Sequence, residues 1–297
     1  MKRVLITGAG SYIGTAFEKW IEDHSDSVAT ETLDMKGQGW REHDFRGYDS
    51  VFHVAGLAHA DVGKVTEETK RLYYKVNCDL AVECARKAKT AGVGQFIFMS
   101  SIIVYGDSAG IGKRKVITAD TPLSPANFYG DSKVQAEEGL RKLDGDDFCV
   151  VILRPPMIYG KGSKGNYPLL AKLAGRLPFF PREDNQRSML YIGNLCRFVE
   201  LMVENRERGI FYPQNREYVR TADLVAAIAA EHGKRMRLTG IFHPVLVLLG
   251  KLGGKLGALS DKAFGSLVYE KEMSEYREEY RVYGFRESVH LTEREDV

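Results

Sequence analysis

The chain has 297 residues, 44% hydrophobic and 28% charged, which suits one large globular domain or two modest ones with a sizeable core. With 42 basic against 40 acidic residues the net charge is +2, so no global field favours nucleic acid or an anionic membrane. Four scattered cysteines, Cys78, Cys84, Cys149 and Cys196, form no C-x-x-C pair. They fit reduced thiols in a cytoplasmic protein and argue against a disulfide framework or a metal site. The first apolar run is too short for a secretory leader, and no run is long enough to span a bilayer.

Val4-Leu5-Ile6-Thr7 reads as a buried strand broken by Gly8. Ile13, Ala16, Phe17 and Trp20 recur at helical spacing, predicting a helix over 12–21. Strands are expected at 28–33, 51–55, 96–99 and 148–153, with helices at 67–90 and 129–143 between them. Strict strand–helix alternation to about 155 predicts a doubly wound parallel sheet of the Rossmann type, an α/β fold. Beyond it the order loosens: helices at 167–175, 193–205 and 221–230, the last with Thr221 as N-cap, and short strands at 188–192 and 210–212. The expected division is a dinucleotide-binding domain over 1–157, to which 188–207 returns. A smaller, interleaved α/β substrate region takes 158–187 and 208–297. The stretch 241–259 is apolar, with Lys251 and Lys255 as its only charged residues. It is expected to pack on the second domain or a partner subunit in preference to lying on a membrane.

Gly8, Gly10, Ser11, Tyr12, Ile13 and Gly14 fill the first strand–helix turn. Glycines there allow a tight turn and close backbone approach, and free N–H groups at the helix start face a pyrophosphate. Asp34, at the end of the second strand, is placed to accept hydrogen bonds from an adenosine ribose diol, which favours NAD; Lys36 and Arg41 nearby keep NADP open. Tyr129 and Lys133 stand four residues apart, on one face of a helix. A phenol beside an ammonium can move a proton, though the same pair also suits an ordinary helix surface.

Several further motifs occur in a telling order: His53-Val54-Ala55-Gly56 after a strand, Asn77 in the long helix, Ser100-Ser101-Ile102-Ile103-Val104-Tyr105-Gly106, Tyr129-Gly130-Asp131-Ser132-Lys133 and Leu153-Arg154-Pro155-Pro156. With the glycine turn they resemble the extended short-chain dehydrogenase/reductases, in the branch of NAD-dependent sugar-nucleotide epimerases and dehydratases, from Met1 to about Gly284. The resemblance implies Ser101 as catalytic hydroxyl, Tyr129 as acid/base and Lys133 as its electrostatic partner and ribose ligand. It also implies Asp44 and Phe45 at the adenine and Ala55, Gly56, Asn77 and Pro156 along the cofactor. Asn166 and Arg187 would meet the substrate diphosphate, beside Ser101 and Tyr129. The glycines depart from the family's G-x-x-G-x-x-G: position 11 is Ser, expected to offer its backbone N–H in an altered loop.

The dehydratase branch carries its acid and base directly after the catalytic hydroxyl. Ile102 and Ile103 stand there and transfer no proton, which removes the elimination. The resemblance then implies C4 epimerisation of a UDP-hexose or UDP-N-acetylhexosamine through a 4-keto intermediate. The alternative is NAD(P)H-dependent reduction of a 4-keto sugar nucleotide. A non-catalytic sensor is the third reading, disfavoured because Tyr129 and Lys133 are both kept. His53 and His59 read as structural, without ligand spacing around them. A homodimer across the 67–90 and 129–143 helices is expected by resemblance alone.

Overall fold

The computed structural model describes residues 1–58, 65–252 and 263–294. Six strands form one parallel sheet: β1 (Lys2–Thr7), β2 (Val28–Leu33), β3 (Ser50–His53), β4 (Gln95–Met99), β6 (Cys149–Leu153) and β10 (Gly209–Phe211). Their spatial order is β10-β6-β4-β3-β1-β2. Period-two alternation explains why both faces are covered. Val4, Ile6, Ile97, Met99, Val151 and Leu153 enter one core, while Leu5, Phe96, Phe98, Val150 and Ile152 enter the other. The first core is closed by α1 (Tyr12–His24) and α6 (Ile192–Glu204), through Phe17, Ile21 and Phe198. The second is closed by α3 (Leu80–Thr90) and α4 (Phe128–Arg141), through Cys84, Ala85, Ala88, Ala136 and Leu140. The sequence 67–90 is one continuous helical run, but α2 (Glu67–Tyr74) joins α3 through a π turn, Lys75–Asp79.

The periphery holds three parallel pairs. β7 (Met157–Tyr159) pairs with β9 (Met189–Tyr191), and β8 (Phe179–Pro181) with β11 (Arg237–Thr239). β5 (Arg114–Ile117) pairs with β12 (Ser266–Tyr269). These pack with α5 (Asn166–Arg176), α7 (Thr221–Glu231) and the helix Phe285–Glu293. Two segments cross the expected division. Gly209–Phe211 is the sheet's edge strand beside β6, and Arg114–Ile117 pairs with a strand near the far end of the chain. Thr221 is the first residue of α7, not its cap; Arg220 holds the cap position without a side-chain bond. The Thr221 hydroxyl instead donates to the Ala263 carbonyl at 2.7 Å and accepts from Asn185.

From Ile241 to Leu248 the expected packing is only partly present. Leu246 lies against the first core, whereas Ile241, Val245 and Leu248 stand in solvent. Residues 253–259 of that stretch, and His59, lie outside the described residues.

Candidate active site

The turn between β1 and α1 is built by three unlike glycines. Gly8 has φ +130°, and a Cβ there would meet the Ala55 backbone nitrogen at 2.8 Å, so only glycine lets the β1 and β3 ends close together. Gly10 is left-handed at φ +70°. Gly14 lies so near Ser11 and Ile6 that a Cβ would fall 2.6 Å from the Ser11 hydroxyl. Ser11 acts differently from expectation: its side chain caps α1 by accepting from the Gly14 N–H, and its own N–H turns inward to the Gly8 carbonyl. The outward donors at the helix mouth are therefore those of Tyr12 and Ile13. The Tyr12 and Ile13 side chains point the other way, onto the first core.

This turn forms one end of a cleft of about 720 Å³. Gly8, Gly10, Ser11, Asp34, Ala55 and Gly56 all line it, as expected of a cofactor wall. The cradle fits an extended dinucleotide: backbone on one side, the helix mouth at the middle, an acidic side chain at the far end. Asp34 accepts from the Lys36 N–H at 2.9 Å. Of the two cations that keep a 2′-phosphate open, Arg41 is held by the Glu83 carboxylate at 2.5 Å, and Lys36 lines the cleft. Asp44 and Phe45 lie outside that lining. Asp44 is bound to Arg46, which holds its carboxyl down at about 2, and Phe45 is buried in the second core. The aromatic wall comes from Trp40 instead, with Leu72 and Val76 from the long helix. Sequence reasoning missed Trp40; an isolated buried Trp in a polar segment was its signal.

Gly56, in the cleft wall, lies beside α4: a Cβ there would fall 3.5 Å from the Lys133 ammonium. Asn127 caps α4 by accepting from the Gly130 N–H, which places Tyr129 in the first turn and Lys133 one turn on. A Cβ on Gly130 would sit 2.9 Å from the Ile103 carbonyl, so this glycine lets the 3-10 turn Ile102–Tyr105 lie against the helix. Ser101 caps that turn, its hydroxyl accepting from the Ile103 N–H, and lies beside the Tyr129 phenol. Burial pushes the phenol up to about 12, with the Ser101 hydroxyl pulling it back. The lowering anticipated from Lys133 is absent in the resting site. Its ammonium donates to the Met99 carbonyl at 2.8 Å and lies 4.6 Å over the Phe98 ring. Burial brings Lys133 down to about 8, opposed by the Glu137 charge.

Asn77, in the π turn, lies behind the cleft wall, its Oδ1 3.2 Å from where a Cβ on Gly56 would stand. It accepts from the Leu57 N–H at 2.7 Å and donates to the Leu57 carbonyl and the Ser132 hydroxyl, both at 3.1 Å. Widening the helix at Lys75–Asp79 turns this amide inward. His53 is a core residue: its Nδ1 meets the Thr7 hydroxyl at 2.8 Å, and burial lowers it to about 3, neutral at any physiological pH. Pro156 is buried at the end of β6, and Ile102 accepts no role beyond its N–H donating to the Pro155 carbonyl.

Glu137, the next residue down the Tyr129–Lys133 face, was not singled out. It is fully buried and bound to Arg154 at 2.5 Å, and it accepts from the Ser100 hydroxyl. Arg154 also donates to the Tyr105 hydroxyl at 2.6 Å. The continued four-residue spacing and the Arg of the Leu153-Arg154-Pro155 run were the available signals. Asn166 and Arg187, far apart in sequence, do meet in one small pocket with Met157, Leu169, Leu170 and Thr221. Burial lowers the Arg187 guanidinium, and it reaches the Gly265 carbonyl.

A parallel six-stranded sheet with a glycine-built mouth, and a Ser, Tyr and Lys gathered at its strand ends, define a dinucleotide-dependent enzyme of the short-chain dehydrogenase/reductase kind. The chain belongs to the NAD dependent epimerase/dehydratase family, whose model matches residues 4–212. A UDP-glucose 4-epimerase from Vibrio cholerae is 30% identical over 281 residues, spanning 88% of this chain and 84% of that protein. An N-acetyl-alpha-D-glucosaminyl-diphospho-ditrans,octacis-undecaprenol 4-epimerase from Escherichia coli O157:H7 is 29% identical over 270 residues, spanning 84% and 77%. Among solved structures, a dTDP-4-dehydrorhamnose reductase from Clostridium acetobutylicum superposes with a TM-score of 0.72 at 17% identity, covering 98% of both chains. Among the described residues no helix is long and apolar enough to cross a membrane, and no group of His, Cys, Asp and Glu could hold a metal ion.

Proposed function

We propose that the protein inverts C4 of a hexose or N-acetylhexosamine carried on a diphosphate, the UDP-sugar being the first substrate to test. The observation that carries this reading is the Tyr129 phenol placed beside the Ser101 hydroxyl, with Lys133 one turn on and isoleucine at both positions where an elimination needs its acid and base. Tyr129 takes the proton of the C4 hydroxyl, and Ser101 hydrogen-bonds the same oxygen. NAD, held along the cleft by the Gly8–Gly14 turn and Asp34, would supply the hydride acceptor and donor, with net redox zero. Lys133 and Asn77 hold the inner end of the cleft, and Asn166 and Arg187 take the diphosphate, for which a guanidinium fork is suited.

Asp34 in the lining favours NAD over NADP, because a 2′-phosphate would meet its carboxylate and Arg41 is held by Glu83, although Lys36 also lines the cleft. The two 4-epimerase relatives differ in carrier by name: UDP in one, undecaprenyl diphosphate in the other. A homodimer through α2, α3 and α4 remains part of the proposal.

The test is turnover without added reductant. Purified protein carrying its own NAD should interconvert UDP-glucose with UDP-galactose, or the N-acetylated pair, with no NADH or NADPH supplied. Protein that comes off the column empty and consumes NADPH only with a 4-keto sugar nucleotide would replace epimerisation with reduction.

A further inference from the structure

Two segments of the substrate region present large apolar side chains to solvent. Leu169, Leu177 and Phe179 are 47%, 41% and 49% exposed along α5 and β8. Ile241, just after β11, is 82% exposed; Val245 and Leu248, on the helix His243–Leu252, are 54% and 58% exposed. The segments are tied to one another. Phe179 pairs with Arg237 and Pro181 with Thr239, the Arg182 N–H donates to the Thr239 carbonyl at 2.8 Å, and His243 meets Glu183 at 2.8 Å. Leu246 anchors the helix on the core, and Val245 and Leu248 on its outer side stay exposed among the described residues. Clustered exposure of this kind marks an interaction surface.

Charge says what covers it. The chain as a whole is balanced at +2, yet neither 161–182 nor 232–248 contains an Asp or Glu. The same segments carry Lys164, Lys172, Arg176 and Arg182, then Lys234, Arg235 and Arg237. All seven are exposed. Apolar side chains flanked by cations, on a helix too short to span, are the composition of a surface that lies on anionic lipid. The face also runs into the candidate substrate pocket, since Leu169 lines that pocket beside Asn166 and Arg187. The rest of its wall is mostly hydrocarbon, from Met157, Leu170, Met189 and Leu224.

We propose that this face docks on an anionic lipid bilayer and that the Asn166–Arg187 pocket there receives a sugar diphosphate carried on a polyisoprenoid lipid. The substrate half rests on the 4-epimerase reading; the docking half does not. An extended polyisoprenyl chain would leave the pocket across Leu169 and enter the bilayer, with the diphosphate held between Arg187 and the surrounding cations.

The experiment is sedimentation of the full chain with vesicles of phosphatidylglycerol and phosphatidylcholine, or of phosphatidylcholine alone. The protein should sediment with the anionic vesicles and be released by about 0.5 M salt, where screening is short-ranged. The triple variant Ile241→Asp, Val245→Asp, Leu248→Asp should bind at least about tenfold more weakly, and Lys172→Glu with Arg176→Glu should do the same without touching the apolar residues. Both keep the cleft and its side chains, and unchanged circular dichroism checks the fold. With polyprenyl-diphosphate-linked N-acetylglucosamine in the same vesicles, wild type should form the C4 epimer and both variants should lose it. Wild type left in the supernatant overturns the docking, as does sedimentation unaffected by either variant. A dimer that these substitutions dissociate, without vesicle binding, assigns the face to a second copy and overturns it too. Vesicle binding with epimerisation of UDP-sugars only upholds the docking and overturns the lipid-linked substrate. Vesicle binding without a C4 epimer from any substrate upholds the docking and removes the 4-epimerase reading.

Discussion

Tyr129→Phe is expected to lower turnover by about 10²–10⁴-fold, the range that a positioned acid/base group supplies. Cofactor affinity should stay unchanged, because the Tyr129 side chain is not in the wall of the dinucleotide cleft. The pH profile adds a second readout. In the resting site burial holds the phenol up at about 12, so it keeps its proton at neutral pH, and a phenolate needs a cation near it. In the proposed mechanism Lys133 is that cation, and burial brings it down to about 8. As pH rises through about 8 the ammonium loses its proton and its support for the phenolate disappears, so turnover should fall on the alkaline side. Lys133→Arg keeps the charge and should move that alkaline limb upward if any activity survives the larger head group. Turnover by Tyr129→Phe equal to wild type would remove the phenol from the chemistry.

Glu137→Ala is expected to destabilise the fold by about 3–5 kcal/mol, the cost of leaving one partner of a buried ion pair uncompensated. Arg154 is 4% exposed, so the substitution leaves its guanidinium and the Ser100 hydroxyl buried without the carboxylate that they share. Glu137→Gln keeps the shape and one acceptor and should cost less. It should also act on catalysis at a distance: the Glu137 charge raises the Lys133 pKa, so its removal should move the alkaline limb of turnover to lower pH. Urea unfolding gives the first number and the pH profile the second. A Glu137→Ala protein as stable as wild type would contradict the buried-pair account.

Much of this site was readable because its signals are local. Gly8, Ser101 and Tyr129 each lie at the end of an element whose apolar pattern announces it, with Lys133 one helical turn on, and alternation alone orders those ends along one edge of a parallel sheet. What stayed hidden depends on pairing between remote segments. β5 and β12 are four residues each, on opposite sides of most of the chain, and neither is regular enough to be seen before its partner is known. The π turn that directs Asn77 inward has no distinctive composition. The Asp44–Arg46 pair depends on side-chain geometry within a loop, which the sequence does not display. Glu137 is invisible for another reason: a Glu in a helix reads as surface until an Arg from the neighbouring strand is known to reach it.

The most direct measurement of the central claim uses a UDP-sugar deuterated at C4, incubated with protein carrying its own NAD and no added reductant. The C4 epimer should form with the deuterium still at C4, because hydride leaves and returns within one closed site. Loss of the label to reduced cofactor in solution, or no C4 epimer of UDP-linked or lipid-linked sugar, would contradict the account.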